Sequence, residues 1–166
     1  RDGGDRPKIG ISWKTSNKQS GHLRSLDIAA FVKIFDGMEC ELHSLQYGEQ
    51  SDFNSLASDW NIKSPTILST AAFDTTNDID FLAEEILKCD FIVSISNSLV
   101  HLAGALGKKG IVLLPYSEGR NWCYGINDDI AKGLYPSLNF VSQDERNNWS
   151  KCVSVARETV NEWCAK

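Results

Sequence analysis

The sequence predicts an α/β protein with a doubly wound, mostly parallel sheet of about six strands. Short apolar runs alternate along the chain with segments of helical periodicity. The segment 89–116 contains strand, turn, helix and strand in succession. A unit of this length forms a right-handed crossover between parallel strands, and ligands bind such sheets beyond the carboxyl ends of the strands. We therefore expect the functional site at the turn in this segment.

The central segment carries signals for each of its elements. Residues 91–95 form a β-branched run without charge, as in a strand that is buried on both faces. Residues 96–98, Ser-Asn-Ser, can cap a helix, and Gly107 can end it in a left-handed conformation. Gly104 occupies a mid-helix position that disfavours glycine, so we expect a neighbouring strand or helix to approach it closely. One helix face is apolar, at Leu99, Leu102, Ala103 and Leu106.

The remaining elements follow from the same patterns. We predict strands over residues 8–13, 41–45, 66–68, 111–114 and 139–142, and helices over 25–35, 53–60, 78–88 and 149–163. The apolar stripe of the last helix indicates core packing. A long segment between residues 115 and 134 contains Arg120, Trp122 and Tyr124, which would either grip a ligand or pack as a surface flap. Residues 1–7 are expected to be a linker or a cut end, and residues 8–166 to form one domain.

Composition excludes several classes of protein. The chain has 166 residues and a net charge of −5, which disfavours nucleic-acid binding. No apolar run approaches the length of a membrane span, and neither GxGxxG nor GxxxxGK[ST] is present. The five cysteines include no CxxC pair, which favours reduced thiols in a cytoplasmic protein. No cluster has metal-ligand spacing, so we expect neither a metal nor another cofactor.

A basic stretch follows the first predicted strand. Residues 14–24 contain Lys14, Lys18 and Arg24 but no acidic residue. The N-terminus of the helix that begins near Ser98 would attract a phosphate, and the basic stretch would lie beside it. We therefore regard these cations as candidate phosphate ligands. The alternative is a solvated surface loop.

Residues 96–107, SNSLVHLAGALG, resemble a motif of the heptosyltransferase-like glycosyltransferases of family nine. The form is most similar to the versions that are associated with tetratricopeptide repeats. Other pieces agree in order along nearly the whole chain: KIGISW at 8–13, Arg24-Ser25-Leu26, Ser44-Leu45-Gln46, Leu113-Leu114-Pro115-Tyr116, Trp122, Tyr135-Pro136-Ser137 and Asn148-Trp149.

The resemblance implies the C-terminal, Rossmann-like half of a GT-B glycosyltransferase. In that family this half binds a nucleotide-diphosphate sugar, without a metal. An N-terminal domain holds the acceptor and supplies the catalytic base, so this chain would have no base of its own. Its partners would be the sugar donor and the acceptor domain or helical repeats of a longer protein.

By position, the resemblance assigns site roles to residues of the turn before the central helix and of the loop after the first strand. Asn97 and Ser98 would hold the diphosphate, Trp13 and Lys14 would flank it, and Gln46 would lie near the nucleotide. Ser96 replaces the family's aspartate, which faces the sugar. His101 would lie near the phosphates or be a buried histidine satisfied by a backbone carbonyl. Two alternatives remain: a non-catalytic binding or scaffold module, and an unrelated small-ligand α/β domain.

Overall fold

The computed structural model describes residues 6–47, 66–69, 77–116 and 133–165. Within these ranges the elements are β1 Lys8–Ser12, α1 Gly21–Arg24, α2 Ile28–Phe31, a 3-10 turn Val32–Phe35, β2 Glu41–Ser44, β3 Thr66–Ser69, α3 Ile79–Lys88, β4 Phe91–Ile95, α4 Ser98–Ala105, β5 Gly110–Leu114, β6 Leu138–Ser142 and α5 Ser150–Cys164.

All six of these strands belong to one sheet in the order β3-β2-β1-β4-β5-β6, and each neighbouring pair is parallel. The predicted doubly wound α/β fold is confirmed. β2 and β3 lie on one side of β1, and β4, β5 and β6 lie on its other side. The strand order therefore reverses between β1 and β4, which is where such sheets open a crevice at their carboxyl edge.

Helices cover both faces of the sheet. On one face α2, the 3-10 turn and α5 pack over a cluster that includes Ile11, Val93 and Ile111. On the other face α3 and α4 pack over Ile92 and over a second group around Val112. The central strands β4 and β5 are buried along their whole length, as expected for uncharged and mostly apolar strands.

The main departure from prediction concerns the region after β1. A single helix was expected over residues 25–35, but the structure has α2 followed by a 3-10 turn. The carboxylate of Asp27 accepts a hydrogen bond from the backbone N–H of Ala29, so this helix begins only after Asp27. The expected polar loop also contains the short helix α1. The predicted helix at 53–60 and the residues Arg120, Trp122 and Tyr124 lie outside the described residues.

The closing helix packs as its apolar stripe predicts. Ala156 and Val160 are fully buried, and Trp163 packs against the sheet with its ring centroid 4.9 Å from that of Phe91. None of the helices in the described ranges is both long and apolar enough to cross a membrane.

Four cysteines fall within the described residues, and none of the four forms a disulfide. Cys40, Cys89 and Cys152 are buried, whereas Cys164 is partly buried. Burial raises the pKa of both Cys40 and Cys89 to about 12. Because the thiolate is the reactive form, these two side chains act as apolar core residues and not as nucleophiles.

Candidate functional site

The carboxyl ends of β1 and β4 lie side by side at the reversal of strand order, with Ser12 opposite Ser94 in the register. The switch-point site is defined here as these two strand ends together with Trp13, Gln46 and Asn97, which hydrogen bonds connect to them. It occupies the place where the sequence predicts ligand binding. Its side chains form a buried inner layer and a partly exposed rim.

Gln46 is the hub of the inner layer. Its side chain is almost fully buried, and its Oε1 accepts hydrogen bonds at 3.0 Å from the Ser12 hydroxyl and from the backbone N–H groups of Trp13 and Lys14. Its Nε2 donates to the carbonyl oxygens of Lys14 and Tyr47. Both ends of the amide are therefore engaged within the protein, so Gln46 holds the loop after β1 in position.

Asn97 connects the start of α4 to the same hub. Its Oδ1 accepts a hydrogen bond of 3.2 Å from the N–H of Leu99, which caps the helix, as expected for the Ser-Asn-Ser turn. Its Nδ2 donates to the hydroxyl of Ser12 at 2.7 Å. Since the Ser12 hydroxyl donates in turn to Gln46, one continuous chain of hydrogen bonds crosses the switch point from α4 to the end of β2.

Arg24 and Ser96 form the second part of the inner layer. The helix α1 turns Arg24 inwards, where only 6% of its surface is exposed, and its Nη1 lies 3.4 Å from the carbonyl oxygen of Ser96. A guanidinium group remains charged in such a place, so it puts a positive charge beside the N-terminus of α4. The Ser96 hydroxyl is buried and has no hydrogen-bond partner among the described residues. The position that would face the sugar in the resembling family is thus closed to solvent.

The side chain of Trp13 belongs to the core. It is 1% exposed, and its ring packs against Phe31 with 6.4 Å between the ring centroids. Only its backbone contributes to the site: its N–H donates a hydrogen bond to Gln46 Oε1, and its carbonyl oxygen accepts one from the N–H of Leu26. Trp13 therefore anchors the loop after β1 and does not present its indole to a ligand.

The rim consists of the loop after β1 and the first turn of α4. Lys14 is partly buried, whereas Lys18 and Ser98 are exposed. The loop is held from both sides, because the N–H of Ser16 donates to the Tyr47 hydroxyl at 3.0 Å and the N–H of Thr15 donates to Ser25 Oγ at 3.1 Å. The lysines thus extend from a loop whose backbone is fixed at the edge of the site.

His101 lies on α4 three residues after Ser98, on the same side of the helix. Its Nδ1 is 2.7 Å from the hydroxyl of Tyr135, and the two rings meet edge to face at 5.7 Å. The expectation of a place near the phosphates, or of a histidine satisfied by a backbone carbonyl, stays a prediction; the partner that the structure shows at Nδ1 is a side-chain hydroxyl from the segment before β6. Burial lowers the pKa of His101, which favours the neutral imidazole.

The buried His43 and the partly buried His101 predict loss of stability in acid. Burial lowers the pKa of His43 below its ordinary 6.5, although neighbouring carboxylates, chiefly Glu41, act against this, and burial lowers the pKa of His101 as well. Below pH 6.5 the unfolded chain binds protons that the folded chain resists, so the free energy of unfolding falls as the pH decreases towards the folded-state pKa values.

We expect the melting temperature to decrease from pH 7 to pH 5, with a smaller decrease in His43→Gln and His101→Gln. The slope of melting temperature against pH, and not its absolute value, is the measurement. His22→Gln, at an exposed position, is the control and should keep the slope of the parent protein. A slope that neither buried-site variant changes would contradict the prediction.

Comparison of the chain with protein-family models, with curated proteins and with solved structures gave no match in any of the three. In the part of the chain that the structure describes, no three His, Cys, Asp or Glu residues are grouped as metal ligands would be.

Sequence reasoning identified the strand ends and the helix cap but missed the residues that position them. Ser25 and Tyr47 hold the loop after β1 through side-chain oxygens, and the Ser12 hydroxyl bonds to Gln46 and Asn97. Ser12 could have been found, because it is the last polar residue of an apolar strand next to the predicted reversal. The partners of Ser25 and Tyr47 lie 10 and 31 residues away in the sequence, where no local pattern indicates them.

Proposed function

We propose that this chain is the donor-binding domain of a glycosyltransferase that uses a nucleotide-diphosphate sugar. The observation that carries the proposal is the fixed polar frame at the switch point, where Asn97, Ser12 and Gln46 join the start of α4 to the end of β1. Doubly wound sheets bind nucleotides at this place, and the resemblance of residues 96–107 implies the same location.

Electrostatics favours a diphosphate as the group that binds there. The N-terminus of α4 offers backbone N–H groups that a helix leaves without internal partners, and its dipole attracts negative charge. Lys14, Lys18 and the buried Arg24 add positive charge from the adjacent loop and α1, and residues 13–26 contain no acidic side chain. A diphosphate gains charge as a glycosyl bond breaks, so the same groups would stabilise the leaving group without a metal.

The inner layer and the rim would have different tasks. Gln46, Asn97 and Trp13 would act as positioning residues, since their polar atoms are engaged with the protein backbone and with each other. The lysines of the rim and the first turn of α4 would contact the phosphates. The acceptor and the catalytic base would come from a separate domain or from repeats of a longer protein.

The alternative is a non-catalytic module with the same fold. A specific observation favours it: Ser96 stands where the resembling enzymes carry an aspartate towards the sugar, and its hydroxyl is buried. Such a module would bind the nucleotide without selecting the sugar. Turnover by a longer protein that includes the acceptor domain would separate the two functions.

Calorimetric titration with nucleoside diphosphates and their sugar conjugates tests the proposal. We expect binding that weakens as the salt concentration rises, because exposed charge contacts are screened. The double variant Lys14→Ala/Lys18→Ala should weaken binding about threefold to thirtyfold, given contributions of about 0.3–1 kcal/mol for each exposed contact and more for a partly buried one.

Lys33→Ala, which removes an exposed lysine in the 3-10 turn, is the matched control and should bind like the parent protein. Absence of binding to the whole panel of nucleoside diphosphates would overturn the proposal. If the affinity were independent of salt and unchanged in the double variant, the loop after β1 would not be part of the binding site.

A further inference from the structure

A cavity lies at the amino end of the sheet, opposite the switch-point site. It is a groove of about 630 Å³ between the starts of β4 and β5, the segment that precedes β6 and the last turns of α5. We call it the amino-edge groove and define it by Phe91, Lys109, Ser137, Glu162 and Trp163, which are among the residues that line it. Its volume is in the range of sites for small molecules, about 300–1,000 Å³.

Two aromatic rings form the apolar part of the groove. Trp163 is partly exposed on α5, and its ring centroid lies 4.9 Å from that of the buried Phe91 at the start of β4. The close packing of Phe91 holds the indole against the end of the sheet. A fixed, partly exposed indole offers a surface on which another aromatic ring can stack or meet edge to face.

Two charges of opposite sign flank these rings. Lys109, directly before β5, contributes an exposed ammonium on the sheet side, and Glu162 contributes an exposed carboxylate on the helix side. The carboxyl end of α5 adds partial negative charge near Glu162. The groove therefore has a positive and a negative side, and the two formal side-chain charges cancel.

We propose that the amino-edge groove binds a small aromatic zwitterion, of the chemical class of the aromatic amino acids. The ring would pack on Trp163, the carboxylate would lie towards Lys109 and the ammonium towards Glu162. A ligand with a single charge would satisfy one side of the groove and leave the other without a counter-ion. This site is separate from the proposed donor site, since the two lie at opposite ends of the strands.

Nuclear magnetic resonance titration of the ¹⁵N-labelled protein tests the proposal with three probes: L-phenylalanine, 3-phenylpropionate and 2-phenylethylamine. We expect L-phenylalanine to shift the indole resonance of Trp163 and the amide of Gly110, with a dissociation constant of about 1 mM for a ligand of this size. Each probe with one charge should bind about threefold more weakly, because an exposed ion pair contributes that much.

Charge variants make the test specific. Lys109→Ala should weaken the binding of L-phenylalanine and 3-phenylpropionate about threefold and leave the binding of 2-phenylethylamine unchanged. Glu162→Gln should weaken the binding of 2-phenylethylamine about threefold and leave that of 3-phenylpropionate unchanged. Glu158→Gln, one turn earlier on α5, and Lys33→Ala are the matched controls. Trp163→Phe assigns the indole resonance and keeps an aromatic ring.

The proposal is overturned if L-phenylalanine up to about 20 mM, well above the expected dissociation constant, shifts no resonance of the groove. It is also overturned if the three probes bind with equal affinity, or if the two charge variants affect all probes alike. Either result would mean that the groove does not recognise both charges.

Discussion

Replacing Gln46 with alanine should lower the free energy of unfolding by about 3 kcal/mol, because three donors that now reach Oε1 would lose their acceptor. Two of these donors are the backbone N–H groups of Trp13 and Lys14, and the third is the buried hydroxyl of Ser12. A buried donor without a partner costs about 1–3 kcal/mol, so the estimate is at the lower end of the range. Chemical denaturation followed by far-ultraviolet circular dichroism is the measurement.

Two further substitutions test whether the lost hydrogen bonds of Gln46 cause the decrease in the free energy of unfolding. Gln46→Glu keeps an acceptor for the three donors but loses the Nε2 bonds to the carbonyl oxygens of Lys14 and Tyr47, so we expect an intermediate loss. Gln19→Ala is the control, because this glutamine is exposed and its recorded hydrogen bond uses the backbone N–H. If Gln46→Ala were as stable as Gln19→Ala, Gln46 would not be the hub of the site.

The same variant should also lose affinity for any ligand of the switch-point site. Without the Gln46 amide the loop after β1 keeps its contacts to Tyr47 and Ser25 but loses the hydrogen bonds from Gln46 to the backbone of Trp13 and Lys14. The backbone that carries the Lys14 side chain would then no longer be fixed. The ratio of affinity at low and high salt should approach that of the Lys14→Ala/Lys18→Ala protein.

Gly104→Ala is expected to destabilise the protein by about 1–3 kcal/mol, the usual cost of overpacking. A Cβ atom at this position would lie 2.2 Å from Cδ1 of Tyr135 and 2.6 Å from its Cγ. Helix propensity alone predicts the opposite sign, because alanine is favoured over glycine by about 1 kcal/mol in a helix interior. The expected close approach at Gly104 is therefore present, but its neighbour is a tyrosine ring that precedes β6 and not a strand or a helix.

A double-mutant cycle separates the two effects. In a Tyr135→Ala background the ring is gone, so Gly104→Ala should become neutral or stabilising by up to about 1 kcal/mol. In a Tyr135→Phe background the ring remains while the hydroxyl that meets His101 is lost, so Gly104→Ala should still destabilise. Thermal or chemical denaturation of the six proteins gives the coupling energy. A cost of Gly104→Ala that is equal in all three backgrounds would refute the contact.

Several parts of this protein follow from the sequence alone. The short, uncharged and mostly apolar runs of β4 and β5 are typical of strands buried on both sides, and their connection through α4 is typical of a parallel crossover. The cap at Asn97 and the left-handed Gly107, with φ of 68°, follow from the side-chain chemistry of a local turn. These features depend on residues that are close together in the sequence.

The roles of individual site residues depended on the tertiary structure. Gln46 and Asn97 were expected to contact the ligand, but both are buried with their amides engaged across the switch point by partners up to 85 residues away. Arg24 lies in a stretch with the composition of a solvated loop, yet α1 turns it beneath the end of β4. Most buried polar groups are paired with a partner that the fold supplies, and their sequence neighbours do not indicate that partner. The sequence therefore predicted the strand ends and the helix cap that form the candidate site, and only the packing of distant segments decided which side chains build its frame and which remain on its rim.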